Sequence, residues 1–371
     1  MQIRTVETEK DLMKFIKFQW KVYKNDPYWV PQLISDIKKL LNKNKNPFWK
    51  HSEQRLFLAE NNGEIVGRIA GVIDRNYLEF HNEQTGFFAF FEAMNDYSVA
   101  ELLLSAVENW LKEKGMKKMM GPTAPSTNDE LGFLLEGFDS PPVLMMPYNP
   151  EYYHGLAEKY GLKKDKDLYA YQITEKTVPM ERLNRLNEKI KRREPKLTIR
   201  QVNLKDYDNE IKRIREIYNN AWGKNWGFVP WTEEEFYYQC ANLKPLVVPE
   251  LVFFIYIGTE PVGMLVGVPN YFEVLKKLNG KMGPVELIKF LWYKNRIKTL
   301  RIMIMGVKKQ YRNRGIEGIM FYEIVERGIK LGYKTAEMSW VLEDNIAMCR
   351  AAEMMGGKIY KRYRVYEKNI N

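Results

Sequence analysis

The sequence is poor in the residues that build disulfides and metal centres. Its 371 residues include two cysteines and three histidines. Cys240 and Cys349 lie far apart and fit no metal-ligand spacing, while His51, His81 and His154 are too scattered to indicate a zinc site. So few cysteines are typical of a reducing compartment, although the two thiols could still form one bridge. We therefore expect a protein without a metal site.

Long apolar runs are missing as well. No stretch of about 18 or more apolar residues occurs, so a membrane-spanning helix is not expected. The N-terminal residues, MQIRTVETEKDLMKF, carry acidic side chains where a signal peptide would have an apolar core. These two absences favour a cytoplasmic protein without a membrane partner.

Hydrophobic, aromatic and basic residues are what the chain has in quantity. Hydrophobic residues make up 45% of it and aromatic residues 13%, which is enough for a sizeable core in a chain long enough for two domains. The net charge of +11 attracts phosphates and acidic partners. The densest basic run, EKIKRREPK at 188–196, fits either a solvated linker or a nucleic-acid contact, so RNA is an allowed but not a favoured partner.

Three blocks of the sequence recur in the same order in the two halves of the chain. In the first pair of blocks, Gly67 and Gly71 stand opposite Gly263 and Gly267. The matching blocks are 61–74 with 257–270, 107–121 with 325–339, and 156–171 with 351–366. One similar block could arise by chance, but three in order indicate an internal repeat.

The repeat and the charge distribution together predict the domain organisation. The charged segment 175–196 includes Pro179 and Pro195 and is the natural boundary between the two copies. We therefore predict two related α/β domains, 1–174 and 197–371, joined by a charged linker.

The stretch QYRNRGIEG at 310–318 has the composition of a phosphate-binding loop. An apolar strand pattern precedes it and an amphipathic helical pattern follows it. Arg312 and Arg314 supply positive charge, and Gly315 permits a tight turn. A helix that starts here offers unsatisfied N–H groups and the positive end of its dipole. The stretch therefore predicts an anion site suited to a pyrophosphate.

The order of these residues resembles the pattern of the GNAT N-acetyltransferase family, V-x-P-x-x-R-x-x-G-x-G/A, followed by a helix, a glycine, a strand and an asparagine. The matching positions are Val307, Arg312, Gly315, Gly332, the strand TAEMSWV, Asn345 and Gly356. The resemblance covers the second domain well, and the repeat extends it to the first. It implies an α/β (α+β) fold of two tandem GNAT-like domains, each a mixed, mostly antiparallel sheet flanked by helices.

The resemblance also implies acetyl-CoA or another acyl-CoA as co-substrate. The pyrophosphate is expected on the amides of residues 313–318, and the pantetheine arm on the strand edge at 305–307. The expected donor-binding residues are Met305, Gly306, Val307, Arg312, Asn313, Arg314, Gly315, Ile316, Glu317, Gly318 and Asn345. The corresponding loop of the first domain, 94–100, has no glycine and no basic residue, so only the second domain is expected to bind CoA.

Several positions depart from the family pattern. Lys309 stands where proline is usual, and Glu317 replaces the last Gly or Ala of the loop. The Glu317 carboxylate can be a favourable charge in a first helical turn, or it can mark altered or lost cofactor binding. If CoA binds, we expect this carboxylate to point away from the pyrophosphate. Ala352 occupies the position of a tyrosine that often protonates the leaving thiolate.

The acceptor is expected near one of two irregular segments. Trp222 and Trp226 lie in the aromatic segment 219–236, and aromatic rings favour an apolar or cationic acceptor. Asn128 and Glu130 lie in the long polar and proline-rich segment 121–153. Core packing, turns and helix caps are the alternative interpretation of both segments.

Acyl transfer to an amine requires a base, because the amine must lose a proton before it attacks. Glu337 and Glu343 lie on or just after the strand expected beside the thioester and are the candidate bases. Tyr360 on the last strand is a candidate acid. A thiol has a pKa of about 8.5, so the thiolate can also leave without a dedicated acid.

The favoured function is therefore an acyl-CoA-dependent N-acyltransferase, first of all an N-acetyltransferase, that transfers directly to an unidentified amine of a small molecule or peptide. One alternative is an aminoacyltransferase that uses charged tRNA, which the charge of +11 suits. The other is a non-catalytic ligand-binding or regulatory protein, which Glu317 and Ala352 favour. The sequence leaves the acceptor and the oligomeric state open.

Overall fold

The computed structural model describes residues 1–223 and 225–370. The first part of the chain alternates short helices with the strands of a meander. Its elements are β1 (Gln2–Thr5), α1 (Glu9–Lys17), α2 (Gln19–Val22), α3 (Ile34–Leu40), β2 (Ser52–Asn61), β3 (Glu64–Asp74), α4 (Arg75–His81), β4 (Thr85–Ala93), α5 (Tyr97–Glu113), β5 (Lys118–Ala124), β6 (Glu130–Leu131), β7 (Phe133–Glu136), α6 (Tyr153–Lys159) and β8 (Lys163–Thr174).

The second part opens with a helix and then repeats the same order of strand, helices, meander, helix, strand, helix and strand. Its elements are α7 (Met180–Arg193), β9 (Leu197–Gln201), α8 (Tyr207–Trp222), α9 (Glu233–Leu243), β10 (Val252–Ile257), β11 (Glu260–Pro269), α10 (Phe272–Leu278), α11 (Pro284–Tyr293), β12 (Thr299–Val307), α12 (Ile316–Lys330), β13 (Thr335–Leu342), α13 (Ile346–Met354) and β14 (Lys358–Asn369).

The chain forms two compact units that exchange segments of sequence. Unit 1 comprises Met1–Leu168, Phe272–Tyr293 and Lys361–Asn371. Unit 2 comprises Tyr169–Tyr271 and Lys294–Tyr360. The units are groups of residues in contact, whereas the predicted domains 1–174 and 197–371 are a statement about homology, so those boundaries stay a prediction.

Unit 1 is a mixed sheet with its main helix on one face. The strands lie in the order β1-β2-β3-β4-β5-β14, with β4 and β5 parallel and the other neighbours antiparallel. Helix α5 buries the face that carries Val99, Leu103, Val107 and Trp110 against this sheet. These residues are three or four positions apart, which is the spacing of one face of an amphipathic helix.

Unit 2 has the same kind of sheet. Strands β9, β10, β11 and β12 are antiparallel neighbours, β12 and β13 are parallel, and β8 lies next to β13. Helix α12 packs on it through Ile316, Ile319, Met320 and Ile324. The predicted fold class, a mixed and mostly antiparallel sheet flanked by helices, is confirmed.

The four glycines of the repeat lie where each main helix contacts its sheet. A Cβ atom on any of them would come within 3.0 Å of a side chain of that helix, so a larger residue would push the helix away. The close contacts are Gly67 with Leu103 at 2.6 Å and Gly71 with Trp110 at 2.4 Å in unit 1, and Gly263 with Met320 at 2.3 Å and Gly267 with Ile324 at 3.0 Å in unit 2. The matched glycines of the sequence thus serve matched helix–sheet contacts.

Helix α7 occupies most of the segment 175–196 that the sequence analysis treats as a charged linker. It buries Leu183, Asn187 and Ile190 and exposes the basic residues of its last turn. Its apolar side belongs to the core of unit 2. The segment is thus a packed helix with a solvated basic face.

The described residues contain neither a group of side chains suited to a metal ion nor a helix suited to span a membrane. Across 1–223 and 225–370, no group of three or more His, Cys, Asp or Glu is placed to hold a metal ion. Over those same residues, every helix is too short or too polar to cross a membrane.

Candidate active site

The candidate site begins where two parallel strands of unit 2 separate. Strand β12 pairs with β13 from Thr299, opposite Thr335, to Ile302, opposite Met338. Beyond that point residues 304–307 still pair with β11, and residues 303–307 have no ladder partner on β13 among the residues described. A strand edge of this kind presents backbone N–H and C=O groups to an extended ligand. The expected pantetheine-binding residues, Met305, Gly306 and Val307, lie on this edge.

The loop after β12 leads directly into the start of α12. Gly315 has φ of +84° and is the residue before the first helical turn. A side chain is disfavoured in this left-handed conformation, so the glycine makes the abrupt entry into the helix possible. The first-turn N–H groups and the positive end of the helix dipole therefore face the loop that carries Arg312 and Arg314.

Arg312 ties this loop to the end of helix α8. Its guanidinium donates a hydrogen bond of 2.6 Å to the carbonyl of Ala221 and lies 3.4 Å from the carbonyl of Val307. The amide of Lys309 donates to the side-chain oxygen of Asn220 at 2.8 Å. These bonds hold the loop in one position, and Arg312 is nevertheless an exposed residue.

Helix α7 covers one side of the first turn of α12. A Cβ atom on Gly315 would lie 2.9 Å from Ile190, and one on Gly318 would lie 2.6 Å from Leu186. The amide of Gly318 also donates to the carbonyl of Gly315 at 2.8 Å. Of the amides expected to bind a pyrophosphate, that of Gly318 is therefore already engaged.

The other side of this turn is open to solvent. Asn313, with φ of +64°, is exposed, and Glu317 is half-buried. The Arg314 guanidinium lies 5.1 Å from the centre of the Tyr311 ring and 3.4 Å from the Glu194 carboxylate. The candidate groups for an anion are thus the amides from Asn313 to Glu317 together with the two arginines.

An aromatic cluster lies over the face of β12 at Gly306. The ring of Trp222 covers Gly306 so closely that a Cβ atom there would lie 2.2 Å from it. Tyr218 stacks on Trp222 with ring centres 4.9 Å apart and on Trp231 at 5.8 Å. Trp226, predicted with Trp222 for the acceptor pocket, is half-buried in the loop that follows α8.

A buried lysine next to the loop is a feature that sequence reasoning missed. Lys308 is buried, and its Nζ lies 2.5 Å from Glu216 and 3.3 Å from Glu260. Burial alone would lower the pKa of Lys308, but the hydrogen bonds and charges of the two carboxylates raise it overall. Tyr311 donates to Glu260 at 2.6 Å. The sequence feature that could have indicated this lysine is its place at the second position of the V-x-P pattern, immediately after an apolar strand.

Two of the three predicted catalytic residues meet in the structure. Tyr360 donates a hydrogen bond to the carboxylate of Glu337, which is buried. Glu337 stands opposite the buried Arg301 in the parallel ladder, one residue before the strands separate. The third candidate, Glu343, lies beyond the end of β13 and is half-buried.

Asn345 has a structural role that the family pattern leaves unstated. Its side chain accepts a hydrogen bond from the amide of Met348 at 3.2 Å and so caps the start of α13. Further along this helix, Ala352 is fully buried and its carbonyl accepts from the amide of Gly357. A tyrosine would not fit this position without rearranging the helix and the strand that follows it.

The remaining predicted acceptor residues, Asn128 and Glu130, belong to unit 1. The amide of Asn128 donates to the Ser126 hydroxyl at 3.2 Å, in a turn that also engages Asp129. Glu130 accepts from Gln32 at 2.5 Å. Both residues thus take part in local hydrogen bonding.

Unit 1 contains a buried carboxylate that the sequence analysis did not single out. Glu92 accepts hydrogen bonds from Gln19 at 2.7 Å, Tyr23 at 2.9 Å and Tyr153 at 2.7 Å, with Arg68 at 3.6 Å. Burial raises the pKa of Glu92, and the neighbouring Arg68 opposes the rise. The sequence feature that could have indicated Glu92 is its place as the single acid in the aromatic strand FFAFFEA. The network organises the interior of unit 1, because each buried charge has a partner.

Comparison with known proteins places these features in a family. The sequence model of the "Acetyltransferase (GNAT) family" matches residues 211–356. "Protein YghO" of Escherichia coli (strain K12) is 36% identical over 376 residues, which cover 99% of this chain and 95% of that protein. "Bacterial ceramide synthase" of Caulobacter vibrioides (strain NA1000 / CB15N) is 36% identical over 378 residues, covering 100% of this chain and 98% of that protein.

A solved structure extends the likeness to the entire fold. The "Tandem GNAT protein from the clavulanic acid biosynthesis pathway (without AcCoA)" superimposes with a TM-score of 0.59 and covers 100% of this chain and 99% of that one. Its sequence identity is 9%, so the likeness concerns the fold alone. The resemblance inferred from the sequence is confirmed.

The close contact between Trp222 and Gly306 gives a direct test of the site geometry. We expect Gly306→Ala to lower the free energy of unfolding by about 1–3 kcal/mol, because the added methyl group displaces the Trp222 ring. Gly328→Ala is the matched control, since a Cβ there meets Leu300 at 3.6 Å and glycine in a helix interior costs up to about 1 kcal/mol relative to alanine. Urea unfolding should show destabilisation in the first variant and none in the second. Equal stability of Gly306→Ala and the natural chain would contradict the contact.

Proposed function

Because this chain belongs to the GNAT acetyltransferase family, we propose that it is an N-acyltransferase that uses an acyl-CoA and transfers the acyl group directly to an amine. The observation that carries the proposal is the separation of β12 from β13 beyond Ile302, beside a basic loop that opens a helix. Acyl-CoA has an extended, amide-containing arm that ends in a pyrophosphate. The arm would match the open edge of β12, and the pyrophosphate would match the basic loop at the start of the helix.

The acyl-CoA would lie along residues 303–307 and end at the start of α12. The amides of the pantetheine arm would hydrogen-bond to the open edge of β12, as an added strand does. The pyrophosphate would meet the amides from Asn313 to Glu317, with Arg312 and Arg314 supplying charge. The amide of Gly318 is left out, because it already donates to Gly315. Repulsion by Glu317 is avoided if its carboxylate turns to solvent.

The pair of Glu337 and Tyr360 would carry the proton from the acceptor. A protonated amine cannot attack, so a base must first remove its proton. The Glu337 carboxylate is buried one residue before the strands part, and the Tyr360 hydroxyl bonded to it can relay a proton. The amine nitrogen then forms its bond to the thioester carbon, the C–S bond breaks, and the second proton that the nitrogen loses goes to the departing thiolate. The thiolate leaves without the usual tyrosine, because Ala352 occupies that position.

The acyl group is proposed to be a fatty acyl chain and the acceptor a long-chain amino alcohol. A ceramide is the amide of these two components, and a relative 36% identical over the whole chain is named bacterial ceramide synthase. The aromatic cluster around Tyr218 and Trp222 offers an apolar surface beside the open edge. Acetyl transfer, the expectation that the family name gives, is the competing outcome of the experiments.

Binding of the donor can be measured by thermal unfolding with CoA, acetyl-CoA and palmitoyl-CoA. A ligand present at a hundred times its Kd stabilises the folded state by about 2.7 kcal/mol, which raises Tm by several degrees. We expect Arg312→Ala to weaken binding by roughly tenfold to a hundredfold, since it removes a charge-assisted hydrogen bond. Lys330→Ala removes the same charge from the exposed far end of α12 and should leave binding unchanged.

The absence of any shift with all three ligands would contradict the proposed donor. A larger shift with acetyl-CoA than with palmitoyl-CoA would favour acetyl transfer over fatty acyl transfer. Retention of tRNA that weakens with added salt would instead favour an aminoacyl-tRNA donor.

Replacing Glu337 and Glu343 one at a time tests which of the two glutamates is the base. We expect Glu337→Gln to lower kcat for amide formation by about a hundredfold or more, with little change in the KM for acyl-CoA. Tyr360→Phe should reduce kcat less, because water can replace the relay. Glu343→Gln should leave kcat within about threefold of the natural chain. Mass spectrometry of the amide product from sphinganine and palmitoyl-CoA gives the rates, and a reversed order of the two glutamine variants would overturn the assignment.

A further inference from the structure

Helix α11 of unit 1 turns its apolar face away from the protein. The side that faces the protein carries Glu286, Phe290 and Tyr293, which are half-buried. The outward side chains are apolar and more exposed: Val285 60%, Leu287 50%, Ile288 70%, Leu291 50% and Trp292 55%. At about 100° per residue, Ile288 lies directly opposite the half-buried side. A helix in a globular protein normally orients its apolar side toward the core, so this arrangement is inverted.

The chain just before α11 is fixed to the rest of unit 1. The indole Nε1 of Trp20 donates to the Asn279 side chain at 2.8 Å. The carbonyl of Gly280 accepts from the amide of Ile34 at 3.0 Å, and a Cβ on Gly280 would lie 2.4 Å from the Trp20 ring. Helix α11 therefore extends from an anchored base, and its exposed face is a defined surface of the fold.

The surroundings of this face are basic. Exposed lysines occur before and within the helix, at Lys277, Lys281 and Lys289. The one acid between residues 274 and 298 is Glu286, whose carboxylate accepts a hydrogen bond from the amide of Gly283 at 3.1 Å. That acid caps the start of the helix on its inner side, so the sequence around the apolar face carries more basic than acidic residues.

We propose that α11 is an interfacial anchor that binds the surface of a membrane containing anionic phospholipid. An apolar helical face with lysines around it and an aromatic residue near its end is the composition of helices that lie in a lipid interface. Charge complementarity selects this occupant, because a second copy of the chain would bring a surface of the same charge against it. The sequence analysis expected no membrane partner, because it considered only helices that span a bilayer.

The anchor does not depend on the proposed acyl transfer. If both hold, docking would bring the enzyme to the place where amphipathic donors and acceptors accumulate. The test therefore uses the full chain and lipid vesicles with no acyl-CoA or amine present, so that its result and the result of the activity assays are separate.

Co-sedimentation with vesicles of phosphatidylcholine, with and without phosphatidylglycerol, measures the binding. We expect the natural chain to bind the anionic vesicles and to be released by added salt. Replacing the outward residues by Ile288→Ser, Leu291→Ser and Trp292→Ser should weaken binding more than about tenfold, because the apolar contact is lost. Replacing Lys277, Lys281 and Lys289 by Gln should weaken it by about fivefold per lysine at low salt.

The matched control replaces exposed apolar residues elsewhere, by Phe80→Ser and Leu331→Ser, each 45% exposed. It should bind vesicles as the natural chain does. Failure of the natural chain to bind anionic vesicles, or equal loss in the control, would overturn the proposal. A third contradicting result would be a dimer in sedimentation velocity that does not bind vesicles and that the three serine substitutions dissociate. A second copy of the chain would then cover the face.

Discussion

The pairing of β12 with β13 ends at Ile302 and Met338, and the features of the candidate site depend on that ending. If the ladder continued, the edge at residues 303–307 would be closed and no extended ligand could join it. Because the strands part, the loop after Val307 can begin α12 next to the gap between β12 and β13. The same point places Glu337 beside it, one residue before the separation. One interruption of a ladder thus aligns the open edge, the anion-binding turn and the candidate base.

The opening is held by close packing rather than by many polar bonds. Glycines on β11 and β12 let α12 and the ring of Trp222 approach the strands to distances that any side chain would prevent. Helix α7 fixes the first turn of α12 from outside through Ile190 and Leu186. Arg312 connects the loop to the end of α8. Each contact removes freedom from the loop before a ligand arrives, which reduces the entropic cost of binding.

The sequence predicted the fold from local patterns, and the proposed location of the site comes from the same patterns. The repeat matched Gly67 with Gly263 and Gly71 with Gly267, and the structure explains the match, because the helix at each position approaches the strand too closely for a side chain. The sequence could not predict that α7 packs on Gly315 and Gly318, since that contact joins residues more than a hundred positions apart. The buried Lys308 and Glu92 were missed for the same reason, because their partners are distant in sequence. The donor-binding and catalytic assignments stay predictions.

Hydrogen exchange measured by mass spectrometry tests the central claim most directly. The amides of residues 303–307 and 313–317 should exchange more slowly when CoA is added, because the ligand would bond to the open strand edge and to the turn at the start of α12. The amide of Gly318 should change little, since it is already bonded to Gly315. Binding of CoA that slowed exchange only outside these two stretches would contradict the account.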